Sequence, residues 1–200
     1  GEVEIFKGNS KYGKGEYVVA EADESDGSFL YLKPLYSVIT NLEMEHIDYY
    51  KTLEDAIDSY AAFANNTKKG GYLFYNAEDE NIRRALEKFN GNRESFGFSK
   101  GADIYPHEIM MNEFYTSYVC VYKNEVIGRV SLRIPGKHNI LNSLAAILAG
   151  FKLGLSFESI CRSIQDFTGT KRRFHLRADV DGVMLIDDYA HHPTEIRAVL

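Results

Sequence analysis

The sequence predicts an α/β protein: a mostly parallel central sheet flanked by helices, with an antiparallel sub-sheet. Three observations carry this. Short apolar runs with no polar face, at residues 17–20 (YVVA) and 35–40 (LYSVIT), suit strands buried on both faces, as in parallel sheets. Amphipathic helical spacing alternates with further strand-like runs, the pattern of a layered α/β domain. Between residues 95 and 134, strand patterns follow one another at short intervals with no helix between them, which reads as an antiparallel insert or sheet edge.

Taken in order, residues 1–6 alternate like a strand and a Gly/Lys/Asn loop runs to Gly15. The runs at 17–20 and 35–40 each end in polar clusters. From Thr52 the period changes: Leu53, Ala56, Ile57, Tyr60, Ala61, Phe63 and Ala64 keep i, i+3, i+4 spacing. Thr52 with Asp55 marks the helix start, and Lys68-Lys69-Gly70-Gly71 its end. Residues 72–75 read as a strand and 78–89 as a helix. Within the insert, strands are expected at 103–105, 115–122 and 126–134, with Lys123-Asn124 as a tight turn. Pro135-Gly136 then breaks the chain. A helix follows at 139–153 and another at 156–167, the latter capped by Ser156. Strands at 175–180 and 183–186 flank Asp181-Gly182, a two-residue hairpin signal. A last helix begins around Pro193, which suits a first turn. A domain boundary is expected near Lys171, dividing 1–170 from 171–200.

Composition narrows the function. The 200 residues are 44% hydrophobic and 26% charged, ordinary for a folded domain. Lys and Arg number 23 against 29 Asp and Glu, a formal charge of −6. Such a chain, without a basic stripe, is a poor nucleic-acid or anionic-membrane binder. No apolar run approaches the ~20 residues that span a bilayer. Cys120 and Cys161 have no metal-like or redox-like spacing and read as reduced thiols of a cytoplasmic protein.

Five polar constellations carry candidate chemistry. EADESD at 21–26 places four carboxylates in six residues at a strand end. It is either a solvated acidic loop or a site for a hard cation such as Mg²⁺. NLEMEH at 41–46 ends the neighbouring run; His46 beside carboxylates is a metal ligand, a general base or a surface group. In GKHNILN at 136–142, His138 and Asn142 project from one face of a helix start. They either hold a purine there or serve as a solvated His and a cap. GTKRRF at 169–174 puts three cations together, suited to phosphate or simply an exposed linker. DDYAHHP at 187–193 lies between a strand end and a helix start and makes a nucleotide or substrate edge. A zinc site fits it less well, since adjacent His rings point in different directions.

In this order and with these spacings, EADESDGSF (21–29), TNLEMEHID (40–48), GKHNILN (136–142), GTKRRF (169–174) and DDYAHHPTEI (187–196) resemble the Mur ligase family over nearly all the chain. The first and last stretches most resemble the branch that joins L-alanine to UDP-N-acetylmuramate. The resemblance implies a P-loop-type central domain followed by the start of a Rossmann-like C-terminal domain. It also implies an ATP-dependent amide ligase using Mg²⁺, acting in the cytoplasm on small molecules. Transfer of this kind is mostly positioning and charge neutralisation. Residue by residue, it implies that Glu21 and His46 hold magnesium and act in catalysis, Glu21 fitting the family spacing better than Glu24. His138 and Asn142 then contact adenine, and Arg173, or its neighbour Arg172, reaches the phosphates. Asp188 lies on the nucleotide side, and Tyr189 and His191 line the cleft for the amino acid.

Two departures stand out. The family's G-x-x-G-K-[ST] phosphate loop occurs nowhere in the chain, and residues 56–63 lack the lysine that some relatives carbamylate. The resemblance places the phosphate loop upstream of Gly1 and most of the C-terminal domain beyond Leu200, so residues 1–200 are expected to be inactive alone. Two other functions remain open at this point: the related ligase that attaches recycled peptide to the same sugar nucleotide, and a non-catalytic nucleotide-binding module.

Overall fold

The computed structural model describes residues 2–3, 8–112 and 115–199. A six-stranded sheet runs in chain order: β1 (Tyr36–Ile39), β2 (Tyr72–Asn76), β3 (Arg93–Phe96), β4 (Ile104–Met111), β5 (Thr116–Tyr122) and β6 (Glu125–Leu132). The first four strands are mutually parallel and the last three antiparallel. Helices α1 (Leu53–Asn65) and α2 (Glu80–Ala85) make the parallel crossovers, and α3 (Lys137–Lys152) and α4 (Phe157–Asp166) follow β6. A separate two-stranded sheet pairs β7 (His175–Val180) with β8 (Val183–Asp187), and α5 (Pro193–Val199) comes last.

Two hydrophobic clusters sandwich the sheet. Leu73 joins Ile39, Ile57, Phe63, Ile82 and Leu86 under α1 and α2. Phe74, its neighbour in β2, joins Phe96, Tyr118, Leu144 and Leu148 under α3 and α4. Adjacent residues fall into opposite cores because successive Cβ atoms leave a strand on opposite faces. Filling both faces requires apolar residues at consecutive positions, which is what made β2 legible.

Local chemistry sets most element ends as expected. Thr52 caps α1 through Asp55 N, and the Asp55 carboxylate reaches back to Thr52 N at 2.8 Å, a reciprocal capping box. Ser156 caps α4. The β5–β6 turn uses positive φ at Lys123 (51°) and Asn124 (68°), and the β7–β8 turn at Asp181 (52°) and Gly182 (80°), the backbone a two-residue hairpin needs.

Other expectations are corrected. Residues 17–20 are not a buried strand: Val18 is 93% and Val19 94% exposed, with no strand assigned there. A β-branched run becomes a strand only where a neighbouring ladder accepts its backbone, and among the described residues β1 pairs with β2 alone. For the same reason Val38 on β1 is left 42% exposed. The α1 helix ends at Asn65, so Lys68 and Lys69 lie beyond its last turn. The helix expected over 78–89 is only Glu80–Ala85, capped by Asp79. β3 was not anticipated. Of the strand expected over 1–6, residues 1 and 4–6 lie outside the described residues, and Val3 makes isolated bridges to Gly8 and Thr170.

Candidate functional site

Parallel strands bring their carboxyl ends to one rim of the sheet, the usual place for ligands. Here that rim holds the loops following Ile39, Asn76 and Phe96. Residues 21–31 pack beside it through the buried Phe29, which touches the Tyr60 and Phe63 rings of α1.

Within EADESD the four carboxylates have different jobs. Asp23 Oδ1 accepts from Ser25 N and Asp26 Oδ1 from Ser28 N, both at 2.9 Å. These turn bonds hold both acids below the ordinary carboxylate value. Glu24 instead turns toward the second loop: its Oε1 lies 3.2 Å from His46 Nε2. Buried Tyr50 donates its hydroxyl to Glu24 O at 2.8 Å, and burial pushes that phenol up to about 12. Glu45 Oε2 lies 3.9 Å from the same His46 nitrogen. Ligand atoms of Glu24, Glu45 and His46 all fall within 4.8 Å of one another. Two carboxylates and an imidazole, all solvent-reachable, suit a divalent cation that keeps several waters.

His46 has φ 53°, a left-handed conformation uncommon outside glycine. Its carbonyl accepts from both Tyr49 N and Tyr50 N, so the turn that follows depends on that backbone. Glu21, the other expected cation ligand, is exposed and lies outside the three-residue cluster.

The C-terminal segment meets the same rim. Thr194 donates its hydroxyl to Glu43 Oε2 at 2.8 Å, and His192 Nδ1 lies 3.6 Å from both Glu43 and Glu45. His192, rather than His191, therefore adjoins the acidic loop. His191 is exposed, with Nδ1 3.0 Å from Tyr189 O and its ring edge-on to the Tyr189 ring. Glu24, Glu45, His192 and Thr194 were not selected from sequence. The adjacency of Glu45 to His46 and of His192 to His191 was visible there; the pairing across 22 and 151 residues was not.

The expected nucleotide-side residues gather around the start of α3. His138 feels the charges of Asp188 and Arg173. Desolvation lowers its imidazole below the ordinary value, with Asp188 opposing and Arg173 adding to the shift. Asn142 is exposed one turn along the helix. Arg173 Nη1 donates to Glu195 at 3.1 Å, while Arg172 lies over the Tyr189 ring at 4.7 Å. Asp188 accepts from Phe174 N at 2.6 Å and Ala190 N at 2.7 Å, so its carboxylate braces the backbone before β7 and after β8.

The Mur ligase middle domain family matches residues 6–150. UDP-N-acetylmuramate–L-alanine ligase of Dictyoglomus turgidum is 45% identical over all of this chain and 43% of its own length. The ligase of that name from Carboxydothermus hydrogenoformans is 40% identical with the same coverage. The chain thus spans less than half the length of these relatives. Among solved structures, UDP-N-acetylmuramate-alanine ligase of Thermotoga maritima superposes with a TM-score of 0.75 at 27% identity, over 89% of this chain and 40% of that one. A MurF ligase of the same organism, in complex with ADP, shares the fold with a TM-score of 0.69 at 19% identity, over 82% of this chain and 38% of that one.

Proposed function

The chain belongs to the Mur ligase family, and from that premise we propose that it is the ATP-handling part of a ligase that joins L-alanine to UDP-N-acetylmuramate. The observation that carries this is the 45% identity, over the whole chain, to a ligase named for that reaction. In the proposed reaction the sugar-nucleotide carboxylate attacks the γ-phosphorus of ATP and ADP departs. The amine of L-alanine then attacks the acyl carbon, and phosphate leaves.

The chain's own residues supply binding and charge. Glu24, Glu45 and His46 hold Mg²⁺, with Glu21 as the further carboxylate that the family resemblance implies. Bound there, Mg²⁺ neutralises phosphate charge as it develops. His138 and Asn142, one turn apart on α3, present an imidazole and an amide to the base. Arg173 and Arg172 offer guanidinium forks to the phosphates. His192 and Thr194 tie the segment after β8 to the acidic loop, bringing Tyr189 and His191 toward the rim.

The test is a chimera in which this chain replaces the matching segment of the Dictyoglomus turgidum ligase. We expect phosphate release that requires L-alanine, UDP-N-acetylmuramate and Mg²⁺, and that falls sharply with His46→Gln. A folded chimera that binds UDP-N-acetylmuramate but releases no phosphate would overturn the proposal.

A further inference from the structure

The sheet ladder ends at Ile39 on β1; Thr40 and Asn41 are exposed, but the chain turns inward again at Leu42, which is 1% exposed. Buried backbone N–H and C=O groups need partners, and here side chains after β2 supply them. Asp79 Oδ2 accepts from Leu42 N at 2.8 Å, and Asn81 Nδ2 donates to Leu42 O at 2.9 Å. Asn76 Nδ2 donates to Thr40 O at 3.1 Å. The other oxygen of Asp79 accepts from Ile82 N at 3.0 Å and caps α2. One carboxylate therefore joins the start of a helix to the loop.

The loop held in this way carries Glu45 and His46, and three residues separate Leu42 from His46 with its left-handed backbone. A conformation of that kind persists where its surroundings over-determine it. We infer that Asp79 and Asn81, assisted by Asn76, are positioning residues that fix the 40–46 loop so that Glu45 and His46 meet Glu24 around a divalent cation. Their hydrogen bonds go to the backbone of Thr40 and Leu42, and through that backbone they act on the cluster. The inference deepens the proposed function and rests on its reading of Glu24, Glu45 and His46 as cation-holding.

The experiment uses the whole chain and two substitutions. Asp79→Ser keeps a residue able to cap α2, but its shorter, single hydroxyl cannot also reach Leu42 N. Asn81→Ala removes the bond to Leu42 O, and Asn81→Asp, of equal size, replaces it should the alanine variant fail to melt cooperatively. Asn65→Ala, which deletes a similar amide-to-carbonyl bond at the exposed end of α1, is the control. The His46 imidazole signals in ¹⁵N–¹H spectra of the metal-free chain read the loop directly. A MnCl₂ titration followed by EPR reads the cation site.

Asp79→Ser and Asn81→Ala are expected to displace the His46 signals and to raise the Mn²⁺ dissociation constant about tenfold or more, the usual effect of losing residues that orient a ligand. Asn65→Ala should do neither. Folded variants with parental His46 signals and parental Mn²⁺ affinity would overturn the positioning role. Mn²⁺ binding that is absent, or indifferent to His46→Gln, would overturn the cation reading instead, and the imidazole signals would then decide the positioning of the loop.

Discussion

The parallel and antiparallel halves of the sheet share a ladder of one pair, Phe96 with Ile104, and Ser95 and Asp103 bond each other beside it. Glu94 bridges this seam. Its side chain, 7% exposed, accepts from Lys152 Nζ at 2.8 Å and Lys123 Nζ at 3.1 Å, and Tyr122 Oη donates to it at 3.1 Å. Lys152, at the end of α3, is 18% exposed, with its Nζ 3.9 Å from the Tyr72 ring centroid. Glu94→Gln keeps the shape and removes the charge. Breaking a buried ion pair by losing one partner costs about 3–5 kcal/mol. Lys123 is 57% exposed and contributes on the surface scale, about 0–1 kcal/mol. Lys152 keeps its contact with Tyr72, about 1–2 kcal/mol for a partly desolvated cation over a ring. The loss therefore falls near the low end, about 3 kcal/mol for a buried pair. At roughly 2–4 °C per kcal/mol for a chain this long, Tm drops by about 6–12 °C. Urea unfolding and calorimetry measure both quantities. The double variant Glu94→Gln/Lys152→Met, which removes the stranded cation as well, should recover much of the loss. A Glu94→Gln loss below about 1 kcal/mol, the exposed-pair scale, or strict additivity in the double variant, would refute the reasoning.

Three more outcomes can be checked. A Cβ on Gly150 would sit 2.6 Å from Ile160 Cδ1 where α3 packs on α4, so Gly150→Ala should destabilise by about 1–3 kcal/mol in urea, as overpacking does; a neutral result would show that α4 shifts freely. The folded chain protonates His138 less readily than the unfolded one, so stability is retained above the ordinary imidazole value of 6.5 and declines as pH falls below it. His138→Gln should flatten that stretch of the stability–pH curve, and an unchanged slope counts against the shift. Burial pushes the Cys120 thiol up to about 12, and Cys161 is raised but partly exposed. Iodoacetamide under native conditions should therefore modify Cys161 first, as mass spectrometry of the digest would report; faster labelling of Cys120 would contradict the packing beneath α3.

Sequence reasoning succeeded where the deciding interaction is local. Thr52 with Asp55, Ser156 with Ser159, and Asp181-Gly182 each act within a few residues, so their pattern is also their structure. It failed where a partner far along the chain decides. Arg93–Phe96 shows no alternation because Glu94 is buried by Lys152 and Tyr122, residues from other elements. The run at 17–20 has strand composition, but composition supplies no neighbouring ladder. The short α2 reflects the same limit, since Asp79 starts the helix while also holding Leu42.

The candidate site divides in the same way. Residue type and order by themselves determined the α/β class, the family and the two acidic loops, because those depend on side-chain chemistry and strand-end placement. Only the tertiary structure decided which carboxylate faces His46, that His192 rather than His191 adjoins Glu43 and Glu45, and that Asp79 and Asn81 hold the loop. A carboxylate's chemistry is the same at Glu21 and at Glu24. Which of them meets an imidazole depends on how the backbone turns between Glu21 and Gly27, and contacts with Tyr50 and Phe29 set that turn.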